Sequence, residues 1–389
     1  MTSSSCPGRD KTVSVALDFT PIETLIERAI ASHAFPAATI EAGRAGEVLW
    51  RVAFGRLTYA EDAPATTVET IFDLASLTKV IATATLTMHA LEAGTLRLED
   101  RVADLLPHWR GDDRAAVTIR DLLEHASGLT AYLPFFRDHH GRAEFERAIC
   151  TMPLEYAPRT QSIYSDLGFI LLGFILEDVN KAGLAELFDR IVRLKAEATG
   201  GAADDPLRFN PPREWRERTA PTELDLWRGR LLQGEVHDEN TWALGGAAGH
   251  AGLFGTAPAV GAFARNILST LRDVNRGTLA RFIQKSTVPG SSRALAWDTM
   301  LPTSSCGTRL SPRAIGHTGF TGTSLWIDPE LDLYVVLLTN RVHPSRDNNQ
   351  IQPVRRQVHD ALVKAVARST PDSQLPAPTG RWNDPTAKA

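Results

Sequence analysis

Strand-forming segments near the two ends of this chain enclose a long middle region, and this order constrains the fold more than any other feature of the sequence. Near the N-terminus, residues 38–41 and 47–54 have strand-like patterns on either side of a glycine-containing turn. Near the C-terminus, residues 324–327 and 333–339 repeat the arrangement around an Asp-Pro-Glu turn. The sequence therefore predicts one sheet that takes strands from both ends of the chain.

The region between these strand pairs has a helical pattern. Segments rich in leucine and alanine recur at helical spacing, at about residues 118–125, 145–151 and 164–180, with Pro- and Gly-bearing loops between them. We therefore expect an α/β (α+β) fold, an antiparallel sheet flanked by helices, with a mostly helical inserted domain. The predicted division is 20–94 and 305–368 for the sheet domain, 95–304 for the insert, and 1–19 and 369–389 for loose termini.

Two terminal helices are predicted beside the sheet. The first begins with Thr20 as a cap, Pro21 at the first helical position and Glu23 three residues after the cap, and it runs to about His33. The second covers about residues 354–368.

The charge balance favours a small-molecule substrate. The chain has 42 Lys and Arg residues against 46 Asp and Glu residues, a net charge of -4, and no long block of one sign. Such a chain has no obvious electrostatic footprint for nucleic acid or an anionic membrane. We expect a small ester or amide as substrate and no nucleic acid partner; the oligomeric state is left open.

The chain also lacks sequence signals for a membrane or for export. The longest uncharged apolar stretch is about a dozen residues, whereas a membrane-spanning helix needs about 20. The first twenty residues are polar, with no apolar signal-peptide core, and three widely spaced cysteines show no metal-binding spacing. We expect a cytoplasmic protein without a membrane span, or a periplasmic one if this sequence is a trimmed form.

Ser76-Leu77-Thr78-Lys79 is the first candidate for chemistry. The segment opens an apolar helical stretch that ends near Gly94. Residues three apart lie on one helix face, so Lys79 can reach the hydroxyl of Ser76. Burial and the helix N-terminus would lower the pKa of the lysine and suit it to act as a base. Alternatively, Ser76 only caps the helix and Lys79 reaches solvent.

Two further segments carry candidate groups. Tyr164 stands two residues before Asp166 where a loop enters an apolar helix, and its hydroxyl could relay a proton. His317, Thr318 and Gly319 precede the C-terminal strand pair, where the backbone N–H of the next residue, Phe320, could face an oxyanion.

These three motifs, in this order, resemble those of the serine β-lactamase and penicillin-binding-protein superfamily. The resemblance covers roughly residues 21–342 and is closest to the branch that holds class C β-lactamases, family VIII carboxylesterases and D-alanyl-D-alanine peptidases. The segments at 125–129 and 249–257 are also similar to family segments.

The resemblance implies catalysis through an acyl-enzyme. Ser76 would attack a carbonyl, Lys79 and Tyr164 would move its proton to the leaving group, and water would release the acyl group. The N–H groups of Ser76 and Phe320 would hold the oxyanion, and His317 would complete the catalytic set. The family chemistry requires no metal or organic cofactor.

Two departures from the commoner family pattern concern the substrate. Asp166 stands where an amide-bearing Asn is usual, and an ionised carboxylate can only accept hydrogen bonds. His317 stands where Lys is common and is a pH-dependent partner for a substrate carboxylate. With the missing export signal, these favour a carboxylesterase for small esters. A D-alanyl-D-alanine carboxypeptidase or β-lactamase is the alternative, and an inactive binding relative the third possibility.

Other polar residues receive simpler interpretations. Glu235, His237, Asp238, Glu239 and His250 lack metal-binding spacing and are predicted to form a hydrogen-bonded loop wall rather than a metal site. Glu223 could position a deacylating water, but an acid at a helix N-terminus is the simpler prediction. Tyr132, Phe135 and Phe136 could line an acyl pocket or could be ordinary packing.

Overall fold

The computed structural model describes residues 17–199, 207–273 and 277–367. The strands are β1 (Ala37–Gly43), β2 (Val48–Gly55), β3 (Phe72–Asp73), β4 (Arg208–Phe209), β5 (Leu224–Asp225), β6 (Arg230–Leu231), β7 (Leu253–Gly255), β8 (Asp298–Thr299), β9 (Ile315–Thr318), β10 (Ser324–Asp328) and β11 (Leu333–Thr339). The helices are α1 (Thr20–Ala31), α2 (Ala84–Glu92), α3 (Val102–Leu105), α4 (Ile119–Leu123), α5 (Gly141–Thr151), α6 (Asp166–Asn180), α7 (Leu184–Thr199), α8 (Glu239–Ala243), α9 (Ala257–Arg272), α10 (Leu279–Phe282) and α11 (Ile351–Ala367).

The main sheet contains strands from both ends of the chain, as the sequence predicts. Its strand order is β2-β1-β11-β10-β9-β8, and every pairing is antiparallel. The N-terminal hairpin meets the C-terminal hairpin where β1 pairs with β11, with Ala38 opposite Thr339 and Ile40 opposite Leu337. The predicted fold class is therefore confirmed.

The alternation of side chains along the strands creates two apolar faces. Val335 and Leu337 of β11 join the cluster formed with helices α1 and α11, whereas Val336 and Leu338 join the larger cluster on the other side. Helix α9 packs against that second face, although its residues fall within the predicted insert. The sheet is thus covered by helices on both faces, and the predicted domain boundaries stay a prediction.

The start of α1 differs from the predicted cap. Phe19 occupies the N-cap position, and Thr20 is the first helical residue, with no side-chain capping bond. Instead, the Thr20 N–H donates to Asp18 Oδ1 at 3.1 Å. The predicted Thr20 cap was therefore wrong by one position.

A buried carboxylate ties α9 to the sheet. Glu41 of β1 accepts bonds from Arg51 of β2, from Arg265 of α9 and from the hydroxyl of Tyr334 of β11, at 2.6 to 2.7 Å. Its side chain has no exposed surface, so these partners compensate the cost of burying its charge. No helix in the described part of the chain is both long and apolar enough to cross a membrane.

Candidate active site

A strained turn presents Ser76 at the start of a helix. Ala75, immediately before it, has a φ of 47°, a conformation that costs a non-glycine residue about 1–3 kcal/mol. The Asp73 carboxylate accepts the Ala75 N–H at 2.8 Å and thereby holds the turn. Helical structure follows from Leu77, with a π-helical turn over Lys79–Thr83 that continues into α2. Such π turns occur frequently at functional sites.

Lys79 lies buried beneath Ser76 and contacts it directly. Its Nζ donates to Ser76 Oγ at 2.9 Å, to Asp166 Oδ1 at 2.7 Å and to the His250 carbonyl at 3.1 Å. The predicted contact between the two motif residues is therefore present. The third partner, His250, joins this network through its backbone.

The pKa of Lys79 shifts in the direction opposite to the one the sequence predicts. Burial does lower the pKa of Lys79, but the Asp166 carboxylate and the Tyr164 hydroxyl raise it by more, so the net shift is upward. The expected lowering was wrong because it considered burial and the helix N-terminus without the carboxylate at 2.7 Å. In the resting site Lys79 is an ammonium paired with Asp166.

Tyr164 lies against both members of the Ser–Lys pair. The Lys79 Nζ is 4.9 Å from the centre of the Tyr164 ring, and the tyrosine hydroxyl interacts with the side chains of both Ser76 and Lys79. Burial raises the pKa of Tyr164, and the Lys79 charge offsets only part of this rise. The Tyr164 hydroxyl is therefore neutral in the resting site.

The position of Tyr164 depends on His125. The two rings lie 4.7 Å apart, and His125 Nδ1 accepts the backbone N–H of Ser165 at 2.9 Å. Burial and nearby positive charges hold the pKa of His125 well below its usual range, so it is a neutral imidazole. Ser165 in turn caps α6, whose first residue is Asp166. The 125–129 segment thus supports the tyrosine and the carboxylate together.

His317 is buried and neutral. Its Nδ1 lies 2.8 Å from the carbonyl of Thr318, a contact that requires Nδ1 to carry the proton. Burial and the charges of Arg293 and Lys79 hold the pKa of His317 well below its usual range. Its Nε2 then has a free lone pair and no partner among the described residues. The prediction that His317 pairs with a substrate carboxylate is not supported, because a neutral acceptor repels an anion.

Arg293 supplies the positive charge that His317 lacks. Its guanidinium lies 4.8 Å from the centre of the Tyr164 ring, and the Tyr164 ring lies 5.8 Å from that of His317. Arg293 Nη1 is 3.4 Å from Asp298 but has no hydrogen bond within the described residues. Arg293 is thus a cation of the cavity wall, and its ion-pair partner Asp298 lines the same cavity.

The two backbone N–H groups predicted to receive an oxyanion, those of Ser76 and Phe320, lie in two linked turns. Neither the Ser76 N–H nor the Phe320 N–H has a hydrogen-bond partner in the described part of the chain. The turn bearing Phe320 is fixed to the Ser76 turn, because the Thr321 hydroxyl donates to the Asp73 carbonyl at 2.7 Å and the Thr323 hydroxyl to that of Leu74 at 3.0 Å. A Cβ at Gly319 would collide with the Thr323 hydroxyl and the Leu74 carbonyl.

These groups share one cavity of about 700 Å³. Seven predicted site residues line it: Ser76, Tyr164, Asp166, His317, Thr318, Gly319 and Phe320. The eighth, Lys79, lies beneath Ser76. Of the three predicted pocket aromatics, Tyr132 lines the cavity, whereas Phe135 packs on Phe145 and Phe136 on Trp227.

A second polar cluster, the Glu223 cluster, forms another part of the cavity wall. His237 Nε2 lies 2.9 Å from a Glu223 oxygen, and Arg346 bridges Glu223 and Glu239 at 2.6 and 2.7 Å. Glu223 precedes strand β5, so the predicted helix N-terminus at this residue was wrong. No group of three or more potential metal ligands occurs among the described residues.

Comparison with known proteins places this site in a family. The model of the family described as Beta-lactamase matches residues 22–360. The chain belongs to the beta-lactamase family. Its likeness to solved structures includes EstCE1, "a hydrolase with promiscuous acyltransferase activity", with a TM-score of 0.68, 21% identity, and coverage of 88% of this chain and 98% of that one.

Curated relatives of this beta-lactamase family member include two proteins whose names describe enzymes that cleave amide bonds. A "Putative D-alanyl-D-alanine carboxypeptidase" of Salmonella gallinarum (strain 287/91 / NCTC 13346) is 30% identical over 74% of this chain and 73% of the relative. An "N-acetylmuramyl-L-alanine amidase" of Bacillus subtilis (strain 168) is 30% identical over 83% of this chain and 80% of the relative.

Sequence reasoning missed two features of the beta-lactamase-family site. Arg293 lies in a loop with no motif around it, and no local signal connects it to Tyr164. The Glu223–His237 pair joins residues 14 positions apart, with strands β5 and β6 between them. Only tertiary packing brings these groups into the cavity.

Proposed function

We propose that this protein is a serine amidase or peptidase that hydrolyses a small peptide-like amide with a carboxylate on its leaving group. The observation that carries the proposal is Arg293, whose guanidinium lies against Tyr164 and which lines the cavity of Ser76. This leads us to prefer an amide over the small ester that the sequence favours.

Acylation begins at Ser76. Lys79 takes the hydroxyl proton in the minor state in which it is an amine, while Ser76 Oγ attacks the carbonyl carbon. The N–H groups of Ser76 and Phe320 bind the oxyanion, each worth roughly 3 kcal/mol. Tyr164 then protonates the leaving nitrogen and recovers a proton from Lys79.

Arg293 identifies the end of the cavity that takes the leaving group. Because Tyr164 protonates the leaving nitrogen, a cation stacked on its ring lies beside the departing fragment. A charge-assisted bond from guanidinium to carboxylate is stronger than a neutral hydrogen bond. A leaving amino acid or peptide has such a carboxylate, and a simple alcohol has none.

Asp166 also suits a peptide-like acyl group. One of its oxygens accepts Lys79, and the residue lines the cavity. The other oxygen can accept an N–H from the substrate, which peptide-like acyl groups offer and simple esters lack. The names of the two curated relatives, a carboxypeptidase and an amidase, support the same substrate class.

A carboxylesterase is the second candidate. The exposed aromatic surfaces of Tyr132 (41%) and Phe320 (51%) would favour an apolar ester at the cavity. Acyl-enzyme chemistry at Ser76 would serve either substrate. The cytoplasmic location stays a prediction.

A substrate panel tests the proposal. We expect the wild type to release the amino acid or peptide from N-acyl-D-alanyl-D-alanine or muramyl-L-alanine peptides with a higher kcat/KM than from the matching C-terminal amides. Ser76→Ala should abolish turnover, and Ser32→Ala, an exposed serine of the α1 end, should retain it. Preference for p-nitrophenyl butyrate with no amide turnover would favour the esterase instead.

A further inference from the structure

The Glu223 cluster contains a pair of groups with the arrangement of a general base and its orienting carboxylate. His237 lines the same cavity as Ser76. Its Nε2 lies 2.9 Å from Glu223, and its Nδ1 has no hydrogen-bond partner in the part of the chain that the structure describes. The acylation steps use neither residue.

The carboxylate fixes the tautomer of this histidine. The hydrogen bonds from His237 and Arg346 outweigh burial and lower the pKa of Glu223 to about 2, so the glutamate is ionised near neutrality. An ionised carboxylate can only accept, and therefore Nε2 carries the proton. With the proton on Nε2, the Nδ1 atom of the neutral imidazole consequently carries a lone pair.

Backbone contacts hold His237 close to the reacting serine. Asp73 accepts the His237 N–H at 2.7 Å with one oxygen and the Ala75 N–H at 2.8 Å with the other. The His237 ring stacks on that of Phe320 at 5.6 Å, and Phe320 supplies one of the oxyanion N–H groups. The histidine is thus linked both to the turn that bears Ser76 and to Phe320.

His237 and Arg293 contact different parts of the site. Arg293 lies on Tyr164, on the side of the leaving group, whereas His237 contacts Phe320 and the Asp73 turn. When the leaving group departs, water enters the cavity. The acylation steps leave Lys79 as an amine, and beside the Asp166 carboxylate it takes up a proton from solvent and returns to its ammonium form. Lys79 and neutral Tyr164 are then both protonated, so neither is a ready base for that water.

We propose that His237, oriented by Glu223, is the general base that activates water for hydrolysis of the Ser76 acyl-enzyme. The water oxygen bonds to the acyl carbon while its proton passes to His237 Nδ1. The bond from that carbon to Ser76 Oγ then breaks, and Lys79 returns a proton to Oγ. His237 finally passes its proton through solvent to Lys79, which restores the resting state. This inference rests on the proposed acyl-enzyme chemistry.

The test separates the two halves of the reaction with p-nitrophenyl acetate. Release of p-nitrophenol in a rapid burst reports acylation, and the following steady rate reports deacylation. We expect His237→Gln to keep a burst rate within about threefold of wild type and to slow the steady phase roughly 100-fold, the range of general-base catalysis. Mass spectrometry should then find acetyl on Ser76. The matched control, His140→Gln, changes an exposed histidine and should leave both phases unchanged.

Two companion measurements distinguish chemistry from support of the fold. Imidazole added to His237→Ala should restore part of the steady rate, which a structural role would not allow. Glu223→Gln should slow the steady phase by roughly tenfold and leave the burst rate intact, because Glu223 acts only through His237.

Each outcome decides between the alternatives. An equal loss of burst and steady rates in His237→Gln, or an unchanged steady rate, would overturn the role of His237. Failure of the underlying serine chemistry would appear differently, as a wild-type enzyme without any acetyl on Ser76 or as full turnover by Ser76→Ala.

Discussion

At the scale of single residues, the site is defined by which charge lies next to which. Lys79 is an ammonium in the resting site because Asp166 and Tyr164 together raise its pKa by more than burial lowers it. His317 is a neutral imidazole, because burial and the charges of Arg293 and Lys79 all lower its pKa. Of these two basic side chains, Lys79 is therefore charged and His317 is uncharged.

The Asp166→Asn variant tests this control of Lys79. Loss of the carboxylate leaves burial as the main influence, so the pKa of Lys79 falls. Since the amine form takes the Ser76 proton, the ascending limb of kcat/KM against pH should move to lower pH. Asp178→Asn on the exposed side of the same helix, with 46% of its side chain exposed, is the control. An ascending limb at the wild-type pH would contradict this account.

Arg293→Gln tests carboxylate recognition. We expect kcat/KM for a substrate with a free leaving-group carboxylate to fall about 10- to 100-fold, the equivalent of one charge-assisted bond. The same substrate with a C-terminal amide should lose little, because it never uses the charge. Arg281→Gln, whose side chain is 49% exposed, serves as control. Equal losses on both substrates would show that Arg293 acts otherwise.

At the scale of elements, the sequence predicts regular structure well and junctions less well. The β10–β11 hairpin falls at the predicted residues because alternating apolar side chains and an Asp-Pro-Glu turn are local signals. The Thr20 cap fails because Thr, Pro and Glu suit neighbouring positions equally. Ser76 and Lys79 were found by local spacing, whereas Arg293 and His237 depend on contacts between distant segments.

Packing of α9 on the sheet supplies an element-scale prediction. A Cβ at Gly261 would collide with the Glu41 carboxylate, which Arg51, Arg265 and Tyr334 hold in place. Gly261→Ala should therefore lower the free energy of unfolding by about 1–3 kcal/mol, despite alanine's better helix propensity. Urea unfolding measures this, with Gly183→Ala, where a Cβ meets nothing within 4 Å, as control. Equal stabilities for the two variants would refute close packing at this point.

At the scale of the whole molecule, stability should be highest where the two ends of the chain meet. Strand β1 lies between β2 and β11 and is buried along its whole length. Strand β2 is at a sheet edge, and all its residues are exposed or half-buried. Pairing of the two hairpins through β1 and β11 thus places these two strands inside the sheet and β2 at its edge.

Hydrogen exchange can test this ranking. Amides of residues 37–43 should exchange only through global unfolding, and half of those in residues 48–55 through local opening. Native-state hydrogen exchange, measured by mass spectrometry at increasing denaturant concentrations, gives the exchange rates of both segments in one experiment. Exchange of β1 as fast as that of β2 would argue against a shared core between the chain ends.

The join between β1 and β11 also has a consequence for synthesis. The Asn340 side chain accepts the Ala37 N–H across 303 positions of the chain. While the ribosome synthesises the residues between β2 and β11, strand β1 of the N-terminal hairpin has an unpaired edge, because β11 is not yet present. Until residue 339 leaves the exit tunnel, the nascent chain cannot close its central sheet. Ser76, made early, therefore becomes reactive only after the chain has been translated through the end of β11 at Thr339.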